Sequence, residues 1–119
     1  METRLIKIED SENVKVEELS CAAQIIRDGG LVAFPTETVY GLGANALDEQ
    51  AAKKIYAAKG RPSDNPLIAH ISSFEELAPL VLKIPEAGEK LSRAYWPGPL
   101  TLVFPKSGRV PYGTTGGLD

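Results

Sequence analysis

At 119 residues, with 43% hydrophobic and 24% charged residues, the chain has the composition of one globular domain and too little length for two. Its formal net charge of −3 excludes a global attraction to nucleic acid or anionic membrane, so any polyanion site must be a local cluster. Cys21 is the single cysteine, which rules out an intrachain disulfide and a cysteine-based zinc site and fits a reducing, cytoplasmic setting.

In chain order, "LIKI" (Leu5 to Ile8) reads as a short first strand. "VKVEELSCAAQIIRDGG" sets Leu19, Ala22, Ala23 and Ile26 at helical spacing, with Gly29 or Gly30 able to take the left-handed position at its end. Cys21 on that helix reads as a small buried hydrophobe. "LVAF" (Leu31 to Phe34), bounded by Gly30 and Pro35, reads as a buried strand. A second helix follows at "DEQAAKKIYAAKG", with Asp48 as N-cap, Ala51, Ile55 and Ala58 on one face, and Gly60 at the stop. "LIAHI" reads as a strand. "SSFEELAPLVL" opens with Ser73 and Glu76 at capping-box spacing, and "PEAGEKLSRAYW" has Pro85 near its first turn and ends before Pro97. "LTLVF" reads as one more strand. Helices alternating with β-rich runs give an α/β (α+β) layering rather than a bundle or sandwich. No apolar run is long enough for a signal peptide core or a membrane span. The closing "KSGRVPYGTTGGLD" is turn-forming and stops without a strand or helix, so residues 1–119 read as a single domain incomplete at its C-terminal end.

Two stretches are dense in chemistry. "FPTETVYGLGANA" contains Gly41, Gly43 and Ala46, a formal match to the dinucleotide pattern G-x-G-x-x-A. That pattern must follow directly on a strand, open a helix and meet an acid about 20 residues later. Here six residues separate Phe34 from Gly41, and Arg61 stands where the acid should. The glycines therefore serve close approach of backbone to backbone or to ligand. The second stretch, "KGRPSDNPLIAH" (Lys59 to His70), packs Lys59, Arg61, Asn65 and the only histidine into twelve residues. A plain turn needs Gly, Pro, Asn and Asp but has no use for the two cations. With Lys53 and Lys54 they make a basic cluster within nine residues of an acidic chain.

The blocks "GGLVAFPTETVYGLGANA", "AAKKIYAAKGRPSDNPLIAHI", "YWPGPLTLVF" and "TTGGLD" resemble, in order, those of the YrdC-like family. The resemblance implies a twisted, mixed sheet with helices packed around a basic cavity. It also implies an enzyme, a nucleotidyltransferase that condenses L-threonine, bicarbonate and ATP to threonylcarbamoyl-adenylate and pyrophosphate, toward threonylcarbamoyladenosine in tRNA. In that reading Lys59 and Arg61 are catalytic and hold the ATP phosphates, joined by Asn65 on the nucleotide, while Thr38 and His70 contact threonine. Thr36 and Tyr40, with Glu37, shape the loop. Mg2+ comes with ATP, and no protein metal ligand is expected. Guanidinium grips two phosphate oxygens at once whereas ammonium acts as a point charge. One residue apart in an extended turn, Arg61 and Lys59 would point to opposite sides. His70 would alternate with Ala69 toward the cavity face. Implied partners are downstream tRNA threonylcarbamoyl transferase proteins and double-stranded RNA or tRNA. The family continues past the position of Asp119 into an arginine clamp for the threonine carboxylate and a Ser-x-Asn element. Two alternatives stand beside this reading: the carbamoyl-adenylate-forming domain of a hydrogenase-maturation carbamoyltransferase, and a non-catalytic RNA-binding module.

Overall fold

The computed structural model describes residues 1–62 and 65–119; Ser63 and Asp64, inside the second dense stretch, lie outside the described residues. Helix α1 spans Val16–Arg27, strand β1 Val32–Pro35, strand β2 Tyr40–Gly43 and helix α2 Glu49–Lys59. Two 3-10 turns at Phe74–Glu76 and Ala78–Leu80 lead to α3 (Glu86–Tyr95), and a short α4 (Tyr112–Thr115) closes the order. The α/β layering stands, with a small antiparallel sheet and packed helices.

Helix α2 forms where its signals sit. The Asp48 carboxylate accepts N–H bonds from Gln50 and Ala51 at 3.0 and 3.2 Å, satisfying two of the donors that a helix start leaves free. At the other end Gly60 adopts a left-handed φ of 63°, and the Gly60 and Arg61 N–H groups bond back to Ala57 O and Tyr56 O. This is the paired closure that a glycine in this position permits. The buried face comprises Ala51, Ala52, Ile55 and Tyr56, while Ala58 is exposed. With Leu77 and Val110 these form the buried apolar core of the described residues. Each large member contributes roughly 1.5–3 kcal/mol by burial.

The last residues are ordered around α2. Gly113 N–H donates to Glu49 Oε1 at 3.2 Å, and the buried Thr114 hydroxyl donates to Ala46 O at 2.6 Å. A Cβ on Gly113 would stand 2.7 Å from Glu49 Cγ, so only glycine lets α4 come this close. Thr114 O in turn accepts the Leu67 N–H at 2.8 Å, fastening the segment after Pro66.

Helix α1 covers the hairpin with a half-buried face of Cys21, Ala22, Ala23, Ile25 and Ile26, but Leu19 remains 46% exposed. Cys21 is thus only half-buried, its Sγ 3.6 Å from Arg4 Nη1. Gly29 ends α1 with φ 83°, and its carbonyl accepts Lys54 Nζ at 2.7 Å. In α3, Pro85 is the N-cap, and Arg93 ion-pairs with Glu89 while lying 4.5 Å over the Phe74 ring. Glu76 reaches back to the Ser72 N–H at 2.6 Å, a bond that holds its carboxyl below the ordinary value.

Three expected strands are corrected. Among the described residues, 5–8, 67–71 and 100–104 enter no β-ladder, and the pairing found near them is an isolated bridge between Val81 and Lys106. The reason is physical. A strand satisfies its backbone only through a neighbour, and among the described residues these stretches form no ladder with one. Leu5 and Val103 are each 95% exposed, although Leu100, Leu102 and Phe104 turn a half-buried face inward, with the Phe104 ring against Gly88 of α3. Among the described residues the sheet is accordingly the β1–β2 hairpin. The Cα radius of gyration of 15.2 Å exceeds the roughly 13.5 Å typical of this length, as a small core under much open apolar surface requires. Among the described residues no helix is long and apolar enough to cross a membrane.

Candidate functional site

The site is assembled from the hairpin, the end of α2 and the segment that joins them. In the hairpin Val32 pairs with Gly43, Ala33 with Leu42, Phe34 with Gly41 and Pro35 with Tyr40. The Phe34 ring lies across both glycines: a Cβ on Gly43 would stand 2.7 Å from it, and one on Gly41 3.3 Å. Gly41 and Gly43 therefore belong to a strand and make room for an aromatic ring, which is why the dinucleotide pattern fails here. The turn between the strands is tied by Thr36, whose hydroxyl donates to Val39 O and accepts the N–H groups of Thr38 and Val39 at 3.3 and 3.2 Å. Such hydroxyl turns replace strand bonding locally. The turn presents Glu37 and Thr38 to solvent beside the exposed ring of Tyr40.

Lys59 and Arg61 do not occupy an extended turn, so strand-like alternation does not set their directions. Lys59 is the last residue of α2, Gly60 turns left-handed, and Arg61 N–H is held at 3.1 Å by Tyr56 O. A cation in the last turn also suits the negative end of the helix. Lys54 leaves the basic cluster, because its ammonium is committed to the Gly29 carbonyl. Asn65 is fixed through its backbone: its carbonyl accepts the hydroxyl of Tyr56, a side chain only 7% exposed.

His70 departs from expectation as well. It lies in no strand, and both Ala69 and His70 are exposed, so alternation does not set its direction. Its position comes from an edge-to-face contact with Phe34, ring centroids 6.3 Å apart at 79°, and from Nδ1 lying 3.2 Å from Ile68 O. One segment thus ends near α2 at Asn65 and near the hairpin at His70. Thr38 and His70 are tied to the hairpin, while Lys59, Arg61 and Asn65 are tied to α2. All five side chains are open to solvent. An apolar groove of about 320 Å³ lined by Tyr95, Pro99 and Leu100 touches none of them. No group of three or more His, Cys, Asp or Glu among the described residues is arranged to hold a metal ion. Sequence reasoning missed Phe34 and Tyr56. The signal for Tyr56 was available, since a tyrosine on the buried face of a helix needs a partner for its hydroxyl.

The profile of Sua5, YciO and YrdC proteins, described as telomere recombination, matches residues 24–119. The threonylcarbamoyl-AMP synthase of Pyrococcus abyssi is 63% identical over 108 residues, covering 91% of this chain and 32% of that protein. That of Bacillus subtilis is 49% identical over 100 residues, covering 84% and 29%. Among solved structures, P. abyssi Sua5 complexed with L-threonine superposes with a TM-score of 0.86 over 90% of this chain and 32% of the other, at 63% identity. The MTH1692 protein of Methanobacterium thermoautotrophicum gives 0.66 at 34% identity, over 96% and 54%. The chain therefore spans about a third of the length of the first two relatives. On its matching profile and these identities, the chain belongs to the Sua5/YciO/YrdC family.

Proposed function

We propose that these residues supply one wall of a threonylcarbamoyl-AMP synthase, which joins L-threonine, bicarbonate and ATP into threonylcarbamoyl-adenylate and pyrophosphate. One observation carries the reading: the chain superposes on a P. abyssi relative that was solved with L-threonine. The threonine amine takes up bicarbonate as a carbamate, with loss of water. A carbamate oxygen then attacks the α-phosphorus of ATP, and pyrophosphate leaves. Such a transfer needs positioning and charge neutralisation rather than a protein nucleophile.

The roles follow from side-chain chemistry. Arg61 grips two phosphate oxygens, Lys59 adds a movable point charge, and the Asn65 amide offers donor and acceptor to the nucleotide. Thr38 and His70, linked through the hairpin, orient threonine. Magnesium arrives with ATP as part of the substrate. The product's threonylcarbamoyl group goes to tRNA through a downstream transferase in the cytoplasm. Because the chain is acidic overall, we place RNA at that later step rather than on this surface.

In the full-length gene product, Arg61→Ala removes a charge-assisted contact worth about 1.5–3 kcal/mol, a loss of roughly 10- to 150-fold in pyrophosphate release. Release within about twofold of wild type would overturn the role given to Arg61.

A further inference from the structure

We propose that Tyr56 is a positioning residue for the nucleotide, holding both ends of the loop that carries Arg61 and Asn65. The inference rests on the reading just given. Two bonds from one residue carry it. The main-chain carbonyl of Tyr56 accepts the Arg61 N–H at 3.1 Å, and its phenol hydroxyl donates to the Asn65 carbonyl. Tyr56 itself cannot move freely, because it sits on the buried face of α2 beside Ala52 and Ile55. The main-chain bond belongs to the helix closure that Gly60 permits at φ 63°, so it fixes where Arg61 leaves the helix. The hydroxyl bond reaches nine residues along the chain and fixes where Asn65 re-enters. Arg61 and Asn65 are thereby tied to one buried residue of α2, and the placing of the phosphate-gripping guanidinium relative to the Asn65 amide depends on it.

A purely structural tyrosine would bond its hydroxyl only to satisfy it, with no consequence for MgATP. A positioning tyrosine uses that bond to place the nucleotide residues, and Tyr56→Phe separates the two through the KM for MgATP because it keeps the ring in the core and removes the hydroxyl. In the full-length gene product, Tyr56→Phe should raise KM for MgATP about fivefold or more. It should leave kcat within about twofold and leave threonine affinity, measured without nucleotide, unchanged. An ATP KM within twofold of wild type, in a background where Arg61→Ala is impaired, overturns the positioning role and leaves the synthase reading intact. If Arg61→Ala and Asn65→Ala are also without effect, the synthase reading itself falls. Should Tyr56→Phe fail to fold, the wild-type protein still decides. The Tyr56 ring resonance should shift on adding MgATP but not on adding threonine alone, and a ring signal unmoved by MgATP overturns the proposal.

Discussion

The extended stretches at 67–71 and 100–104 are richer in apolar residues than helix α2, four of five in each against six of eleven, yet α2 is the packed element and they enter no ladder. The contrast lies in where backbone bonds are closed. A helix closes them within itself, so Asp48 and Gly60 suffice to define α2 from local residues. A strand closes them only against a neighbour, and among the described residues the segment after Pro66 has one main-chain bond of this kind, from Leu67 to Thr114. The residues proposed to bind substrate follow the same division. Lys59 and Arg61 sit at the end of the packed element, whereas His70 sits on a segment held by the Leu67 bond and by its aromatic contact with Phe34. Side chains on an unladdered segment hold their geometry less firmly, which is why the link through Phe34 matters.

Substitutions can break or sharpen this contrast. The largest effect is expected in α2, where Ile55→Ala leaves a cavity in a small core and should cost about 2–5 kcal/mol in denaturant unfolding, enough to unfold a marginal domain. A smaller loss comes from its start: Asp48→Ala removes both N-cap bonds and should cost about 1 kcal/mol, with the loss concentrated in helical circular dichroism. The smallest belongs to the open stretch. Val103→Thr, at a side chain 95% exposed, should change the stability of the 119-residue chain by less than about 0.5 kcal/mol. A loss above 1 kcal/mol there would mean that the Val103 side of the stretch is covered in solution and that the contrast is false.

The same division decides what could be read in advance. The three long helices were legible because caps, stop glycines and apolar spacing are local signals, although the buried face of α2 includes Ala52 and Tyr56 rather than Ala58. The strands at Leu5 to Ile8, "LIAHI" and "LTLVF" were misread because composition records strand preference but not the presence of a partner. Lys54 looked like part of a basic cluster, since sequence cannot show that its ammonium caps the carbonyl of Gly29, 25 residues away. The tail around Thr114 looked like a loose turn because its bonds run to Ala46 and Glu49 across more than sixty positions. The roles proposed for Thr38 and His70 rest on family resemblance alone. Their spacing carries no periodic signal, and His70 meets the hairpin only through Phe34.

Pyrophosphate release by the full-length gene product from MgATP, with threonine and bicarbonate each omitted in turn, tests the central claim most directly. The account predicts release that requires both, falling to background when either is withheld, because the nucleophile is the carbamate they form together. Release that continues undiminished without threonine would show that Thr38 and His70 do not serve that substrate and would contradict the reading of this surface as a synthase wall.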